Sequence, residues 1–449
     1  MSNVIRIKKG LNINLIGEAE KTIKELSTDQ FAIKPTDFIG IFPRLLVKEG
    51  DELKAGSPVF ADKQRDELLF TSPVSGKVSE VRRGPKRVLL EIRIESDGKG
   101  EAVDFGAADP LKLDREAIIA KMLQSGVWPL VRQRPYSVIA KPTDKPKAIF
   151  ISTFDTSPLA PDNDLIVHGH DKAFQTGLDA LSRLTDGKVH LNIDANATES
   201  KVFTGSKNVQ LNRFAGPHPT GNVGVQISRL DPINKGEVVW YVGPQEVLTI
   251  GRLFLNGKYD ATRVVALTGP EVLHPAYYKT FVGAKLDNFV AKNTTEGPKR
   301  YISGNVLTGI RIEAGGYLGF YHHQITVIKE GNYHEFLGWA LPGFGKFSFS
   351  RSFPAFLFKN RKYRLDTNLH GGYRAIVMTG QYEKVFPFDI YPMQLIKAIM
   401  TENIDLMEQL GIYEVDDEDF ALCEVIDTSK TNIQEVVRKG LDMLRKEMS

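Results

Sequence analysis

Two stretches decide the fold of the first hundred residues: Val47-Lys-Glu-Gly-Asp-Glu-Leu-Lys-Ala-Gly56 and Thr71-Ser-Pro-Val-Ser-Gly-Lys-Val78. Each is followed by a strand-like run, Pro58-Val-Phe60 after the first and Val88-Leu-Leu-Glu-Ile-Arg-Ile94 after the second. Short β-rich runs that are separated at close intervals by Gly, Pro and Asp are typical of small barrels and sandwiches. We therefore predict one small β domain over residues 1–102.

The same stretches resemble the biotinyl/lipoyl barrel-sandwich fold, in which a modified lysine sits on an exposed hairpin turn. Asp62-Lys63 falls near the place of that lysine. The interval from Lys63 to Ser72-Pro73 is longer than in lipoyl carriers, and the Met-Lys-Met pattern of a biotin site does not occur. Because a fold does not by itself imply its function, we expect the barrel-sandwich without a covalent cofactor.

The next part of the chain, residues 103–258, alternates between helical and strand patterns. Ile118, Ile119, Met122 and Leu123 recur at helical spacing, which predicts a helix that ends near Gly126. Two strand-like runs, residues 148–152 and 188–193, then bracket a predicted helix over residues 173–184. Strand–helix–strand alternation indicates a small α/β layer with a parallel sheet.

The last two parts are predicted from changes in the same patterns. Residues 259–330 are rich in strand-like runs and glycine, which favours a compact α+β or all-β module. Residues 331–449 begin with an aromatic stretch, 336–378, that we expect to be β-rich, and end in amphipathic helices around residues 395–410 and 433–444. The whole chain is thus predicted to be a multidomain protein of mixed α/β and α+β class.

Composition excludes several classes of function. The formal net charge of +3 is too small to indicate a nucleic-acid partner. Cys423 is the only cysteine, so an all-cysteine Fe–S cluster or a Cys-rich zinc site cannot form within this chain. No stretch approaches the ~20 apolar residues that span a bilayer, and the N-terminus has no signal-peptide pattern. We expect any membrane association to go through partners.

Three motifs could hold a ligand, and each also has a plain structural explanation. His168-Gly-His170 could place two imidazoles together, but no third ligand is near in sequence, so we expect no metal site. The segment from Gly216 to Gly224 could line an anion, although it lacks Gly-x-Gly-x-x-Gly and equally suits a turn. The run from Tyr317 to Gln324 would suit a quinone ring beside a histidine donor, or aromatic packing between domains.

A larger set of motifs follows in order along the whole chain: Ile5-Arg-Ile-Lys-Lys-Gly-Leu11, Thr71 to Val78, Arg83-Gly-Pro-Lys-Arg87, Gly216-Pro-His-Pro219, Ile250-Gly-Arg-Leu-Phe254, Tyr317 to Gln324, and Asp416-Asp-Glu-Asp-Phe-Ala-Leu-Cys423. Through these motifs the chain resembles the A-subunit family of the Na⁺-translocating NADH:quinone reductases. That family is similar in fold to the C-subunit of the Rnf complex and to the FMN-binding subunit of respiratory complex I. The resemblance implies a barrel-sandwich, a Rossmann-like domain over 103–258, a β-grasp ligand-binding domain over 259–330 and C-terminal helices.

The resemblance also implies a subunit that is poor in cofactors. In the fold relatives a glycine-rich loop holds the flavin. The corresponding segment of this chain, from Gly126 to Tyr136, contains a single glycine, Gly126. The relatives also carry cysteine cluster motifs toward the C-terminus, where this chain has only Cys423. We therefore expect no flavin or Fe–S centre in this chain, with NADH, flavins and Fe–S centres in partner subunits and quinone as its own candidate ligand.

The resemblance implies a peripheral role for this chain on the cytoplasmic face of the bacterial inner membrane. The chain would dock against the membrane-embedded B-subunit near the quinone-reduction step, with no catalytic centre of its own. The candidate residues for the quinone region are Trp128, Arg132, Arg134, Tyr136, Phe38, Phe42, Arg44, Tyr321 and His322. Arg132 and Arg134 suit solvated charges or partner contacts equally well. The alternatives are a stand-alone flavin or NADH dehydrogenase and a pure scaffold without any ligand.

Overall fold

The structure is a computed structural model that describes residues 4–338, 341–358 and 361–448. Its strands are β1 Val4–Arg6, β2 Glu20–Glu25, β3 Gln30–Ile33, β4 Pro43–Leu45, β5 Glu52–Leu53, β6 Pro58–Asp62, β7 Arg65–Thr71, β8 Gly76–Arg83, β9 Leu89–Ser96, β10 Arg132–Arg134, β11 Val138–Ile139, β12 Ala148–Ser152, β13 Lys188–Asp194, β14 Gln210–Ala215, β15 Val239–Tyr241, β16 Thr262–Thr268, β17 Ala276–Phe281, β18 Lys299–Ser303, β19 Ile310–Ile312 and β20 Gln324–Lys329. Its helices are α1 Arg115–Gln124, α2 Asn163–Val167, α3 Asp171–Ser182, α4 Lys201–Thr204, α5 Val223–Leu230, α6 Pro244–Asn256, α7 Asp287–Ala291, α8 Tyr382–Val385, α9 Pro392–Met400, α10 Ile404–Gln409, α11 Ala421–Ile426 and α12 Ile433–Glu447.

Two small sheets form the predicted barrel-sandwich. One sheet has the strand order β3-β9-β8-β5 and the other the order β4-β6-β7. Between them Phe60 and Phe70 stack with ring centroids 4.3 Å apart, and Ile92 and Ile94 are fully buried. Lys63 lies exposed on the turn between β6 and β7, the place expected from the fold. The barrel-sandwich prediction is confirmed.

A seven-stranded sheet with the order β1-β14-β13-β12-β15-β10-β11 forms the centre of the molecule. Its first five strands are parallel, whereas β10 runs antiparallel to β15 and β11. The apolar side chains of β12 alternate, so that Ile149 packs with the core of α3 and α6 while Phe150 packs with that of α5. Helices on both faces of a mostly parallel sheet make this the predicted α/β layer.

Glycines set the distance between two of these helices. A Cβ atom at Gly251 of α6 would collide with the carbonyl oxygen of Ala173, and one at Gly177 of α3 with that of Val247. The backbones of α3 and α6 can therefore approach closely only because both positions lack a side chain. This packing holds the N-terminus of α6 at the edge of the sheet where the candidate site lies.

The third layer is a six-stranded sheet with the order β19-β18-β20-β16-β17-β2. Strands β16 and β20 run parallel to each other at its centre, and their residues Val265, Leu267, Ile325 and Val327 are buried. The helix α7 packs against this sheet through Val290. The α+β prediction for this part of the chain is confirmed.

The N-terminal residues depart from the predicted organisation. Strand β1 belongs to the seven-stranded sheet, where Ile5 pairs with Phe214, and β2 belongs to the six-stranded sheet, where Tyr277 pairs with Ile23. Strands β1 and β2 therefore pair outside the two small sheets of the barrel-sandwich. The physical reason is that Ile7, Ile13 and Leu15 of this arm are buried in the core of the C-terminal helices. The domain bounds 1–102 stay a prediction.

The aromatic stretch after residue 330 also differs from its prediction. Its described residues up to 378 contain no strand, only a 3₁₀ helix at Pro354–Leu357 and isolated bridges from Tyr363 and Asp366. Many of its aromatic and aliphatic side chains are exposed, so they have no neighbouring sheet against which a strand could form. The prediction of a β-rich segment is wrong, because aromatic composition without strict alternation does not specify a strand.

The C-terminal helices α8 to α12 enclose a core of their own. Phe386, Leu395, Val437 and Leu441 are buried there together with residues of the N-terminal arm. The predicted helix over residues 395–410 is divided into α9 and α10 at Glu402, which has a φ of 55°. In the part of the chain that the structure describes, no helix has the length and apolar character that crossing a membrane requires.

Candidate functional site

A cavity of about 460 Å³ opens at the carboxyl ends of β12 and β15. The chain passes from β12 outward to β13 and β14 and returns to β15 on the other side of β12, so the strand order reverses between these two strands. In open α/β sheets, ligands bind in the crevice that such a reversal creates. Ser152 and Tyr241, the last residues of the two strands, line the cavity together with the N-termini of α5 and α6.

Arg132 projects into this cavity from β10. It pairs with Tyr241 across the β10–β15 ladder, and its guanidinium lies 4.5 Å from the ring centroids of both Tyr241 and Tyr321. The hydroxyl of Tyr321 donates a hydrogen bond to the Pro129 carbonyl at 2.7 Å, which fixes that ring. Burial lowers the pKa of Arg132, but the two tyrosines raise it above its ordinary value. A charged guanidinium held between two rings can direct several N–H groups at an acceptor.

Two neighbouring histidines line the same cavity in different settings. The Ser303 hydroxyl lies 2.8 Å from Nδ1 of His322, and burial lowers the pKa of His322 to about 3, so this ring is neutral. His323 places Nε2 2.9 Å from Oε1 of Glu246, which also pairs with the buried Arg263. Burial raises the pKa of Glu246, but His323 and Arg263 hold it well below its usual range. Glu246 is therefore a fixed negative charge at the N-terminus of α6.

The opposite wall comes from the acidic stretch after Val415, which we call the carboxylate cluster (Asp416, Asp417, Glu418 and Asp419). Arg134, fully buried, places Nη2 2.5 Å from Glu418 and Nη1 2.7 Å from Asp419. A Cβ atom at Gly224 would collide with both Arg134 and Asp419, so the glycine-rich segment leaves room for this pair. The pair joins the α/β layer to the C-terminal helices.

The carboxylate cluster retains protons near neutral pH. Burial and the adjacent Asp416 raise the pKa of Asp417 to about 9. Burial also raises the pKa of Glu418 to about 7, against the opposing effect of Arg134. Asp416 instead has its pKa lowered to about 2, because Arg134 and Arg438 outweigh the effect of burial. The crowding of four carboxyl groups around two guanidiniums explains the split.

Three polar atoms at the cavity wall are buried and have no hydrogen-bond partner among the described residues. They are Oγ of Ser157, Oδ1 of Asn163 and Oε2 of Glu246, and each side chain belongs to a residue that is less than a tenth exposed. Buried polar groups in native proteins are almost always satisfied. Within the described part of the chain, these atoms are therefore unpaired polar groups in residues that line the cavity.

The predicted residues divide into three groups in the structure. Arg132, Tyr321 and His322 line the cavity together. Trp128, Phe38 and Tyr136 are buried or half-buried packing residues, and Arg134 forms the ion pairs described above. Phe42 is 54% exposed and does not line the cavity; Arg44 is exposed too, where it pairs with Asp66 at 2.9 Å.

Sequence reasoning missed several residues of the site. Tyr241 and Glu246 have no motif around them, and His323 lies in the run from Tyr317 to Gln324 but was not named as a candidate. Residues 416–419 stand out only as part of the family pattern, although four consecutive acidic positions before an apolar run are a visible signal. Tyr241 could not have been found, because its role depends on its pairing with Arg132 across the sheet.

The segment from Gly126 to Tyr136 does not have the shape of a flavin-binding glycine loop. The indole of Trp128 is fully buried, donates a hydrogen bond to the Ala140 carbonyl at 2.8 Å and packs edge-to-face on Trp240. Gly126 itself faces Thr71 of the barrel-sandwich, which a Cβ atom would strike. Side chains thus fill the space that backbone amides would need in order to surround a phosphate.

Metal ligation has no support in the described part of the chain. Across residues 4–338, 341–358 and 361–448, no group of three or more His, Cys, Asp or Glu side chains is arranged to hold a metal ion. His168 and His170 are both exposed at the turn before α3. Cys423 is buried within the C-terminal core.

The layers define a multidomain α/β protein with a cavity at the strand-order reversal. Models of three family domains match this chain: the NqrA N-terminal barrel-sandwich hybrid domain at residues 5–97, the NqrA second alpha/beta domain at residues 113–259, and the NQRA C-terminal domain at residues 264–314. The chain is also similar to the A-subunit of the Na(+)-translocating NADH-quinone reductase of Yersinia pestis bv. Antiqua (strain Angola), with 40% identity over 99% of this chain and 100% of that protein.

The corresponding protein of Vibrio atlanticus (strain LGP32) is 38% identical over the same shares of both chains. The chain therefore belongs to the NqrA family, the A-subunits of the Na⁺-translocating NADH-quinone reductases. Among solved structures, an NAD⁺-reducing NiFe-hydrogenase in the air-oxidized state matches 48% of this chain and 47% of that chain at 13% identity, with a TM-score of 0.36. That likeness is too distant to carry an argument.

Proposed function

We propose that this chain is the peripheral A-subunit of a Na⁺-pumping NADH:quinone oxidoreductase and that it supports quinone reduction coupled to Na⁺ export. Its place is the cytoplasmic face of the bacterial inner membrane, against the membrane-embedded B-subunit. NADH, flavins and Fe–S centres belong to partner subunits, so this chain has no redox centre of its own. Family membership over the full length supports the assignment to the complex.

We further propose that the cavity at the carboxyl ends of β12 and β15 binds the quinone headgroup. The observation that carries this proposal is Arg132, whose guanidinium is held between Tyr241 and Tyr321 and forms no ion pair with any described residue. A quinone is neutral and presents carbonyl oxygens, which accept hydrogen bonds from a guanidinium. Arg132 is suited to hold one of these oxygens in a fixed position.

His322 can supply the second donor. The Ser303 hydroxyl oxygen accepts a hydrogen bond from the Gly319 N–H at 2.9 Å, and its own proton is available to Nδ1 of His322. We propose the tautomer in which Ser303 donates to Nδ1. The neutral ring then carries its proton on Nε2, which is free to donate. Two donors from different layers match the two carbonyls of a quinone ring.

The charge of the cavity wall distinguishes this ligand from a nucleotide or a flavin phosphate. Six lining residues are carboxylic acids: Asp37, Asp155, Glu246, Asp416, Asp417 and Glu418. Arg132 is the only lysine or arginine that faces them among the described lining residues. Asp417 keeps a proton near neutral pH, whereas Glu246 and Asp416 are ionised. A phosphate would meet repulsion from these two charges, whereas a neutral headgroup would not. The stand-alone flavin or NADH dehydrogenase is disfavoured for this reason and by the filled segment at Trp128.

Titration of the purified chain with a short-chain ubiquinone analogue tests the site. We expect saturable binding by calorimetry, and Arg132→Leu should weaken it about ten- to a hundredfold, the effect of removing a charged donor. Arg82→Leu, which removes an exposed arginine from β8 in the barrel-sandwich, is the matched control and should bind as the wild type does. If Arg132→Leu bound the analogue as tightly as the wild type does, the site would be refuted. If the wild type did not bind the analogue at all, the pure scaffold without a ligand would be the remaining function.

A further inference from the structure

Exposed apolar side chains are concentrated in one segment of this chain. The basic aromatic segment, which we define as residues 333–338, 341–358 and 361–378, contains 11 of the 26 large apolar side chains that are exposed among the described residues. Their exposed fractions run from 39% at Tyr333 to 88% at Phe336. Exposed apolar residues that are scattered singly over a protein surface are normal, whereas a concentration of them in one segment indicates an interaction site.

The base of the segment is fixed to the rest of the molecule. Tyr363 donates its backbone N–H to the Asn14 carbonyl at 2.8 Å and accepts from Ile16 at 3.0 Å. Arg364 pairs with Glu271 at 2.9 Å, and the Arg374 N–H donates to the Ser429 carbonyl at 2.9 Å. The exposed side chains are therefore held out from an anchored base, with positions set by the N-terminal arm, the six-stranded sheet and the C-terminal helices.

The charge of the segment is unlike that of the chain as a whole. It contains six lysine or arginine residues against two carboxylates, whereas the chain has 58 against 55. Arg361 donates to the Phe344 carbonyl and lies over the Tyr363 ring, and within the described residues neither Arg361 nor Arg374 forms an ion pair. An occupant of this surface should therefore present carboxylates beside an apolar area.

The backbone of the segment favours a protein over a lipid occupant. Apart from the 3₁₀ helix at Pro354–Leu357, the described residues here form no helix or strand, so their amide groups are not satisfied by a regular ladder. Irregular backbone is not tolerated in the hydrocarbon of a bilayer, because nothing there can pair with its N–H and C=O groups. A protein surface can supply those partners and cover the apolar side chains together.

The available area is sufficient for a stable interface. Eleven large side chains that are on average more than half exposed present on the order of 1,000 Å² of apolar surface. A standard protein–protein interface buries about 800 Å² on each partner. The segment could therefore supply the apolar centre of such an interface without help from other surfaces.

We infer that the basic aromatic segment is the docking surface of this chain for a protein partner that presents an apolar area bordered by carboxylates, on the membrane part of the reductase. The inference rests on the proposed function, which assigns the chain to the complex but does not say through which surface the chain binds. Phe336 and Tyr373, at 88% and 74% exposed, are the most exposed of these side chains, so docking would remove most apolar surface from water at these two positions.

Binding of the full chain to the detergent-solubilised membrane part, prepared without this chain, tests the inference. The double variant Phe336→Ser, Tyr373→Ser should bind at least tenfold more weakly than the wild type. The matched control Leu111→Ser, Leu273→Ser removes two side chains that are 49% and 52% exposed elsewhere, and its affinity should stay within about twofold of the wild type. Hydrogen exchange of the wild type should slow within residues 333–378 on binding.

The outcomes separate this inference from the proposed function. If the wild type binds but the double variant binds equally well and the segment gains no protection, the docking surface lies elsewhere and the inference is overturned. If the wild type does not bind the membrane part at all, the proposed function fails and the inference with it. Binding to protein-free vesicles of phosphatidylethanolamine with phosphatidylglycerol that is lost in the double variant would replace the protein partner with lipid.

Discussion

Arg132 and Arg134 lie two residues apart on β10 and meet entirely different partners. Arg132 lies between two tyrosine rings at the cavity, whereas Arg134 is enclosed by carboxylates that follow it by more than 280 residues in the chain. The first arrangement leaves N–H donors available to a ligand. In the second arrangement the N–H groups of Arg134 are already paired with carboxylates of the C-terminal part. A buried guanidinium without such partners would be strongly destabilising.

The carboxylate cluster gives the protein a pH-dependent stability. The raised pKa of Asp417, about 9 against an ordinary 3.8, means that the folded protein keeps a proton that the unfolded chain releases. The stability that this proton contributes is complete below about pH 4, declines as the pH rises and is lost above about pH 9. We predict that the melting temperature of the wild type falls between pH 6 and pH 9, and falls less in Asp417→Asn.

Differential scanning calorimetry of both proteins across this range measures the effect. Asp104→Asn, at an exposed carboxylate in the loop after the barrel-sandwich, is a suitable control and should follow the wild type. Parallel melting curves for the wild type and Asp417→Asn at every pH would contradict the retained proton.

At the scale of elements, the N-terminal arm is the part of the chain that joins the layers. Strand β1 extends the seven-stranded sheet beside β14, β2 extends the six-stranded sheet beside β17, and the residues between them pack against the C-terminal helices. The Ile7 N–H donates to the Ala215 carbonyl at 2.8 Å. A short arm thus contributes hydrogen bonds or apolar packing to three parts of the fold.

Substitution within the arm should therefore weaken the assembly of the layers. Ile7 is 4% exposed, and Ile7→Ala should lower the free energy of unfolding by about 2–4 kcal/mol through lost burial and the cavity that remains. Ile16 on the same arm is 44% exposed, so Ile16→Ala should cost less than about 0.5 kcal/mol. Urea unfolding of the two variants provides the comparison, and equal losses would mean that the arm is not packed as described.

At the scale of the whole molecule, the cavity is built jointly by every layer. Asp37 comes from the barrel-sandwich, Arg132 and Tyr241 from the α/β layer, His322 from the six-stranded sheet and Glu418 from the C-terminal part. A ligand that contacts all of these layers is bound only by the complete fold. Ligand binding therefore stabilises the packing of the layers against one another as well as the individual layers.

This leads to a prediction about unfolding in the presence of quinone. A short-chain ubiquinone analogue at a hundred times its Kd should stabilise the folded chain by about 2.7 kcal/mol. In a Trp339→Phe background, fluorescence reports on Trp128 and Trp240 in the α/β layer, and far-UV circular dichroism reports on all helices. Both urea midpoints should rise together; a rise in the fluorescence midpoint alone would show that the ligand does not link the layers.

Local patterns in the sequence were enough to predict the barrel-sandwich, the helix at Arg115–Gln124, the strands Ala148–Ser152 and Lys188–Asp194 of the α/β layer and the amphipathic C-terminal helices. These features depend on residues close together in the chain, through turn chemistry and through the spacing of apolar side chains. The motifs likewise predicted the family. The exact domain boundaries at residues 102, 258 and 330 stay predictions.

Only the tertiary structure decided which candidates form a site. Trp128 and Arg134 carry the residue types expected of a ligand site, but the structure buries one in a core and pairs the other with Asp419. Tyr241 and the carboxylate cluster reach the cavity through strand pairing and helix docking, which bring together residues far apart in sequence. The sequence by itself determined the elements and the family, because these depend on neighbours along the chain; the cavity, the path of the N-terminal arm and the exposure of the basic aromatic segment depend on neighbours in space.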